Sequence, residues 1–250
     1  MRKLTWKILK QRLTQKLLHK PLNIRQSWEE TPAEFTDDMY AFQNWFDTAS
    51  SLENCILRAK NDWQYRFKSF KFFKEINHDA ALEIGFGGGR LLAQAAKDFA
   101  YVYGVDIHQS FAMTQQFLQQ QHVNNFTLVH RDQLSQLKDH SIDFVYSFIV
   151  FQHFDSIAEV NYYLDHINRL LKADGIAHIY YGKNKKEAIR ETSAQNFELR
   201  DCSLFISPKI MKDIIKQKFE LLLQEECLPK NLIDNSGESG QAMVIFKRRS

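Results

Sequence analysis

The sequence predicts an α/β fold: a Rossmann-like sheet of seven strands, mostly parallel with an antiparallel C-terminal hairpin strand, helices on both faces, and an N-terminal helical extension. Three observations carry this. From residue 80 onward, short apolar runs alternate with segments of helical periodicity, the pattern of βαβ units with right-handed crossovers. The first three runs begin at Ala80, Tyr101 and Phe126, 21 and 25 residues apart, as a Rossmann-like half requires. The last two runs, Phe219–Glu226 and Gln241–Arg248, are separated by a polar loop with no helix, so they must pair antiparallel.

Residues 1–76 make up the N-terminal extension, read as a helical lid. Leu4, Ile8, Leu9, Leu13, Leu17 and Leu18 fall at helical spacing until Pro21 ends the pattern. Ser27 to Thr36 reads as a connector, and helical material resumes from about Asp37 to Ile76. The remaining strands are expected at Ile142–Phe148 and Gly175–Tyr181. Helices are expected at about Gly89–Phe99, Gln109–Gln121 and Ser156–Leu171, with Asp155 capping the last of them. The sheet domain spans 77–250, with 182–207 as an insertion.

Composition narrows the function classes. Hydrophobic residues at 44% and charged residues at 25% describe a packed globular chain. Three scattered cysteines, Cys55, Cys202 and Cys227, form no metal-ligand spacing and read as reduced thiols of a cytoplasmic protein. The net charge of +3 is uneven. Eight basic and no acidic residues lie in 1–25, leaving the body mildly acidic, with 25 basic against 30 acidic side chains. An enzyme acting on nucleic acid would spread positive charge over its catalytic body, so a nucleic-acid partner is disfavoured. The basic amphipathic N-terminus has two readings: a helix packed on the domain, or peripheral contact with the inner face of a membrane.

The segment Leu82-Glu83-Ile84-Gly85-Phe86-Gly87-Gly88-Gly89-Arg90 runs from strand to glycines to helix. Glycine lets a ligand touch the backbone, and the first helical amides favour a negative group there. A dinucleotide GxGxxG would need glycine where Arg90 stands, and no Lys-Ser/Thr pair completes a P-loop. An acidic residue, Asp106, ends the second strand, where a carboxylate can either hold ribose hydroxyls or cap a helix.

The Glu83-x-Gly85-x-Gly87-x-Gly89 run, followed by Asp106, resembles the class I S-adenosylmethionine (SAM)-dependent methyltransferase superfamily over roughly residues 79–248. The resemblance implies SAM as methyl donor, S-adenosylhomocysteine as product, and no metal. It places Glu83, Gly85, Phe86, Gly87, Asp106 and Ile107 around the cofactor. It also puts Asp132 and Gln133 at the adenine, with a turn-starting aspartate as the plainer role for Asp132, and Ser147 beside the donor methyl. Arg66 would meet the methionine carboxylate, with Trp63 or Tyr65 near the sulfonium; these residues also suit an ordinary amphipathic helix. The run Arg169 to Gly175 resembles the family's turn before strand five. His153, just past the fourth strand, is the candidate general base, with a purely structural histidine as the other reading.

The function this implies is methyl transfer to a small-molecule acceptor, such as a sugar, glycolipid or secondary metabolite, with oxygen favoured over nitrogen. No Asn/Asp-Pro-Pro-Tyr tetrapeptide follows strand four. The basic residues of the insertion, Lys183, Lys185, Lys186, Arg190 and Arg200, fit an acidic acceptor or a solvated face. A SAM-binding scaffold without catalysis and a nicotinamide-dependent oxidoreductase are the competing classes, the latter opposed by Arg90 and the terminal hairpin.

Overall fold

The computed structural model describes residues 24–191, 202–227 and 239–249. The pattern at residues 4–18, Arg200 and the polar loop around Asn235 lie outside the described residues. Nine strands form one sheet: β1 Ala80–Ile84, β2 Tyr101–Asp106, β3 Phe126–His130, β4 Ile142–Ser147, β5 Leu171–Asn184, β6 Ile189–Glu191, β7 Leu204–Ile206, β8 Phe219–Cys227 and β9 Ser239–Arg248. The parallel part runs in the order β3-β2-β1-β4-β5, and β9 lies antiparallel between β5 and β8.

The seven expected strands are all present, and the two additional ones are three residues each. β6 and β7 lie in the 182–207 insertion and are too short to show a period in sequence. β9 covers one edge of β5 from Ile176 to Asn184, whereas β4 covers the other edge only as far as Ile179. β7 pairs with β5 at Lys183, so it occupies the edge that β4 vacates beyond Ser147. This carries the insertion onto the C-terminal rim of the sheet, where open α/β sheets bind their ligands.

Strand β4 is buried along its whole length, as a central parallel strand with helices on both faces must be. One face packs Leu82, Val145 and Ile179 against the Ile157–Leu170 and Pro208–Lys218 helices. The other packs Phe144, Tyr146 and Tyr180 against Trp63, Phe67 and Phe73 of the N-terminal extension. The extension is thus half of a core layer.

Several expectations are corrected. The Ser27–Thr36 connector is helical: an α-helix at Ile24–Glu30 runs into a 3-10 turn at Thr31–Phe35, with Pro32 in the first turn, where its missing N–H is harmless. The helix after the glycines is short, Leu92–Ala95. Residues 171–174 belong to β5 and not to a free turn, with a register shift opposite Ile142. Asp155 does not cap the following helix. Ser156 holds the N-cap position, and the amide of Ile157 donates to Glu191 at 2.9 Å.

At the opposite rim, Asp143 ties three strand starts together. Its carboxylate accepts from the Ala80 amide at 2.9 Å and pairs with Lys172 at 2.9 Å, while Lys172 also reaches Asp79 at 2.9 Å. The Asp143 side chain is 3% exposed and that of Asp79 73%. Asp143→Ala should therefore lower unfolding stability by about 2 kcal/mol, since it strands a buried amide and a lysine. Asp79→Ala should change it by less than about 0.5 kcal/mol. Urea denaturation of the two variants checks this.

Candidate functional site

The glycine loop turns the chain from β1 across the C-terminal rim. Gly85 and Gly87 have φ of +77° and +50°, in the left-handed region where a side chain is strained. A Cβ on Gly85 would lie 2.3 Å from Val150, and one on Gly87 would lie 2.8 Å from Phe46. Both positions thus need glycine for backbone conformation and for space. The Gly85 amide donates to Val105 O at 2.8 Å, and the Gly87 amide donates to Asp106 Oδ2 at 2.7 Å. The loop is held by the tip of β2.

A cavity of about 640 Å³ opens over this loop, within the size range of small-molecule sites. Of the residues expected at a site, Glu83, Gly85, Phe86, Gly87, Asp106, Ile107 and His153 line it. Asp106 keeps acceptor capacity to spare: Oδ1 accepts from the Ile107 amide at 2.7 Å and the His108 amide at 3.4 Å, and Oδ2 accepts from Gly87, while a carboxylate offers about four acceptor sites. Glu83 is buried, and burial pushes its carboxyl well above the ordinary range, with the Tyr146 hydroxyl and Arg90 pulling it back. Phe86 turns its ring away from the loop, 5.2 Å from His108 and 5.1 Å from Phe111, over β2 at Gly104.

Six expected residues are not in the cavity wall. Asp132 is 74% exposed; its amide donates to the His130 ring at 3.3 Å at the start of a 3-10 turn, which directs the carboxylate outward, and Gln133 is exposed beside it. Ser147 is buried and donates to Ile84 O at 2.9 Å, which ties the tips of β4 and β1 together. Arg66 pairs with Asp62 at 2.9 Å and lies 4.7 Å above the Phe148 ring. Trp63 donates to Asp98 at 2.6 Å within the aromatic layer, and Tyr65 is 72% exposed, so both take the packing role open to them.

Arg90 supplies the guanidinium that Arg66 does not. It lines the cavity and pairs with Asp47 at 3.3 Å and Asp62 at 2.8 Å. Its place directly after the glycines was the available sequence signal. Gln43 donates to Gly88 O at 2.6 Å, which fastens the Met39–Asp47 helix onto the loop. The far wall is aromatic: Trp28 lies 4.8 Å from the His153 ring, 5.6 Å from Trp45 and 6.2 Å from Phe46. These wall residues come from helices whose periodicity looks like any core-facing helix, so nothing in sequence marked them. Ile149, also in the wall, has φ +59°, a strained conformation for a β-branched residue and of the kind that collects at ligand sites.

Residues 82–179 match the family model of a methyltransferase domain. Among curated proteins, none matches this sequence. In fold, the chain is similar to phosphoethanolamine N-methyltransferase 1 of Haemonchus contortus, solved with phosphoethanolamine and S-adenosylhomocysteine. The two share 17% identity with a TM-score of 0.63, over 92% of this chain and 50% of that one. It is also similar to geranyl diphosphate C-methyltransferase of Streptomyces coelicolor A3(2), at 10% identity and TM-score 0.56, over 68% and 72% of the two chains. The cyclase SpnF shares the fold at 14% identity and TM-score 0.60, over 80% and 84%.

Arg90→Ala should destabilise the protein by about 2 kcal/mol at neutral pH, because it removes the buried one of two cationic partners of Asp47 and leaves only the more exposed Arg58. Burial already raises the Asp47 carboxyl above its ordinary 3.8, with Arg90 and Arg58 opposing. Without Arg90 it rises further, so the native state holds a proton that the unfolded chain has lost. A raised carboxyl penalises folding above its titration and ceases to do so below it. The stability gap between variant and wild type should therefore narrow as pH falls from 7 towards 4, which denaturation across that range measures.

Proposed function

We propose that this chain, which belongs to the class I SAM-dependent methyltransferase superfamily through its domain at residues 82–179, methylates a small-molecule acceptor held in the cavity beneath the N-terminal lid. One observation carries the reading. The same cavity joins Glu83, Gly87 and Asp106 to an aromatic wall of Trp28, Trp45, Phe46 and His153.

The residues present fit SAM. A spare acceptor site on Asp106 suits a ribose hydroxyl, the bare backbone at Gly85 and Gly87 admits a ligand against the main chain, and the Glu83 carboxyl in the cavity wall suits an ammonium when it is ionised. SAM when bound supplies a methyl on a positive sulfonium, open to in-line attack. The chain's own work is then positioning and exclusion of water. Ile107 borders the nucleoside, and Arg90 stands at the methionine end in place of Arg66. Asp132, Gln133 and Ser147 would act at a remove, Ser147 by fixing the strand tips.

A hydroxyl acceptor, as on a sugar, glycolipid or secondary metabolite, needs its proton removed, and His153 in the aromatic wall is the group placed to take it. Oxygen is the favoured acceptor atom, with nitrogen second. The site of action is the cytoplasm, with peripheral membrane contact through the basic N-terminus. Among the described residues no helix is long and apolar enough to cross a membrane.

Two variants test the roles. Asp106→Ala should weaken SAM by about 1–3 kcal/mol in calorimetry, since it removes a ribose acceptor and unhooks the Gly87 amide. Incubation with methyl-labelled SAM and a metabolite extract should give a labelled small molecule. His153→Ala should abolish that label at unchanged SAM affinity. Full labelling by the variant would leave His153 a structural residue.

A further inference from the structure

Glu83 and Tyr146 are register partners on adjacent parallel strands, so their side chains leave the sheet on the same face. The Tyr146 hydroxyl donates to Glu83 Oε2 at 3.1 Å. The ring behind that hydroxyl is packed on several sides. It is fully buried, with Trp63 at 5.1 Å, Phe67 at 5.4 Å and Phe144 stacked at 5.5 Å. On the other side of Glu83 the register partner is Gly104, which offers no side chain to compete. A carboxylate placed between a glycine and a packed phenol has Oε2 engaged by the hydroxyl and a backbone contact to Leu92 besides, and the residue as a whole lines the cavity.

We propose that Tyr146 is a positioning residue for the methyl donor: its hydroxyl holds Glu83 Oε2 so that the remaining carboxylate oxygen is aimed into the cavity to receive the donor's α-ammonium. This rests on the SAM reading above. The chemistry follows from what each group can do. A phenol O–H donating to a carboxylate stabilises the ionised form and fixes its plane, whereas burial alone favours the neutral acid. The other charged or polar groups facing Glu83 are Arg90 and the Leu92 backbone, which favour ionisation, and Asp106 on β2, which opposes it. Tyr146 is the largest of the favourable influences. Without it, Glu83 binds a proton more readily, and a neutral acid is a poor partner for an ammonium.

The test is SAM binding by calorimetry to the full-length protein between pH 5.5 and 7.5, below the titration of an α-amine at about 7.7–8.0. Tyr146→Phe removes one oxygen and keeps the packed ring. It should weaken SAM about tenfold or more at pH 6, with the loss shrinking as pH rises, so that the affinity–pH curve moves in the alkaline direction. Glu83→Gln should flatten the curve, and adding Tyr146→Phe to it should cause no further loss. Wild-type affinity in Tyr146→Phe, or a loss by the same factor at every pH, would overturn the proposal. A further loss in the Glu83→Gln background would do the same, because it would show a packing role alone. Should Glu83→Gln bind SAM as wild type does, the assignment of Glu83 to the donor fails with it. Should Glu83→Gln weaken SAM while Tyr146→Phe does not, only the role of Tyr146 fails.

Discussion

The 2.7 Å hydrogen bond from the Gly87 amide to the Asp106 carboxylate is the contact on which the rest of the site depends. It joins the glycine-rich loop of the rim to the tip of the neighbouring strand. With the Gly85 amide on Val105 O, it holds the loop in a left-handed path that no other residue type adopts without strain. Everything that makes the cavity chemically distinctive is placed relative to that clasp. Glu83 precedes it on β1, Arg90 follows it, and Val150 and Phe46 fill the space where glycine side chains would stand. The carboxylate is a structural acceptor for the loop and lines the cavity.

The lid is attached to this loop by polar contacts and to the sheet by apolar ones. Gln43 holds Gly88 O, and Arg90 joins the Met39–Asp47 helix to the Leu52–Trp63 helix through Asp47 and Asp62. The two attachments differ in character. Trp63 and Phe67 are sealed into the aromatic layer under β4 and β5, whereas the indole N–H groups of Trp28 and Trp45 are buried with no acceptor, and Asp47 Oδ2 is buried with no donor. Each unsatisfied buried group costs about 1–3 kcal/mol.

Much of the fold was legible in sequence because its signals are periodic and local. Alternating apolar runs located seven strands, and the absence of a helix between the last two required the antiparallel pairing of β8 with β9. β6 and β7 were not legible because three residues cannot show a period. The Ile24–Glu30 helix was missed because Thr-Pro looked like a break, yet Pro32 is tolerated in the first turn that follows it. Seven residues expected from sequence line the cavity, and they cluster at the glycine loop and the tips of the second and fourth strands, where the chain pattern is most local. Those missed, Trp28, Trp45, Phe46 and Gln43, reach the cavity only through tertiary packing of an amphipathic helix. Asp132 and Arg66 show the reverse failure. Each has the right chemistry at the right chain position, and a local bond, to His130 or to Asp62, turns it elsewhere.

Amide hydrogen exchange with and without SAM tests the central claim most directly, because it reads the backbone of the loop itself. The account predicts that SAM slows exchange at Gly85–Gly89, at Ile107 and along the Met39–Asp47 helix together, while NAD leaves all three unchanged. Protection by NAD in place of SAM, or protection confined to a region away from the Gly87–Asp106 clasp, would contradict it.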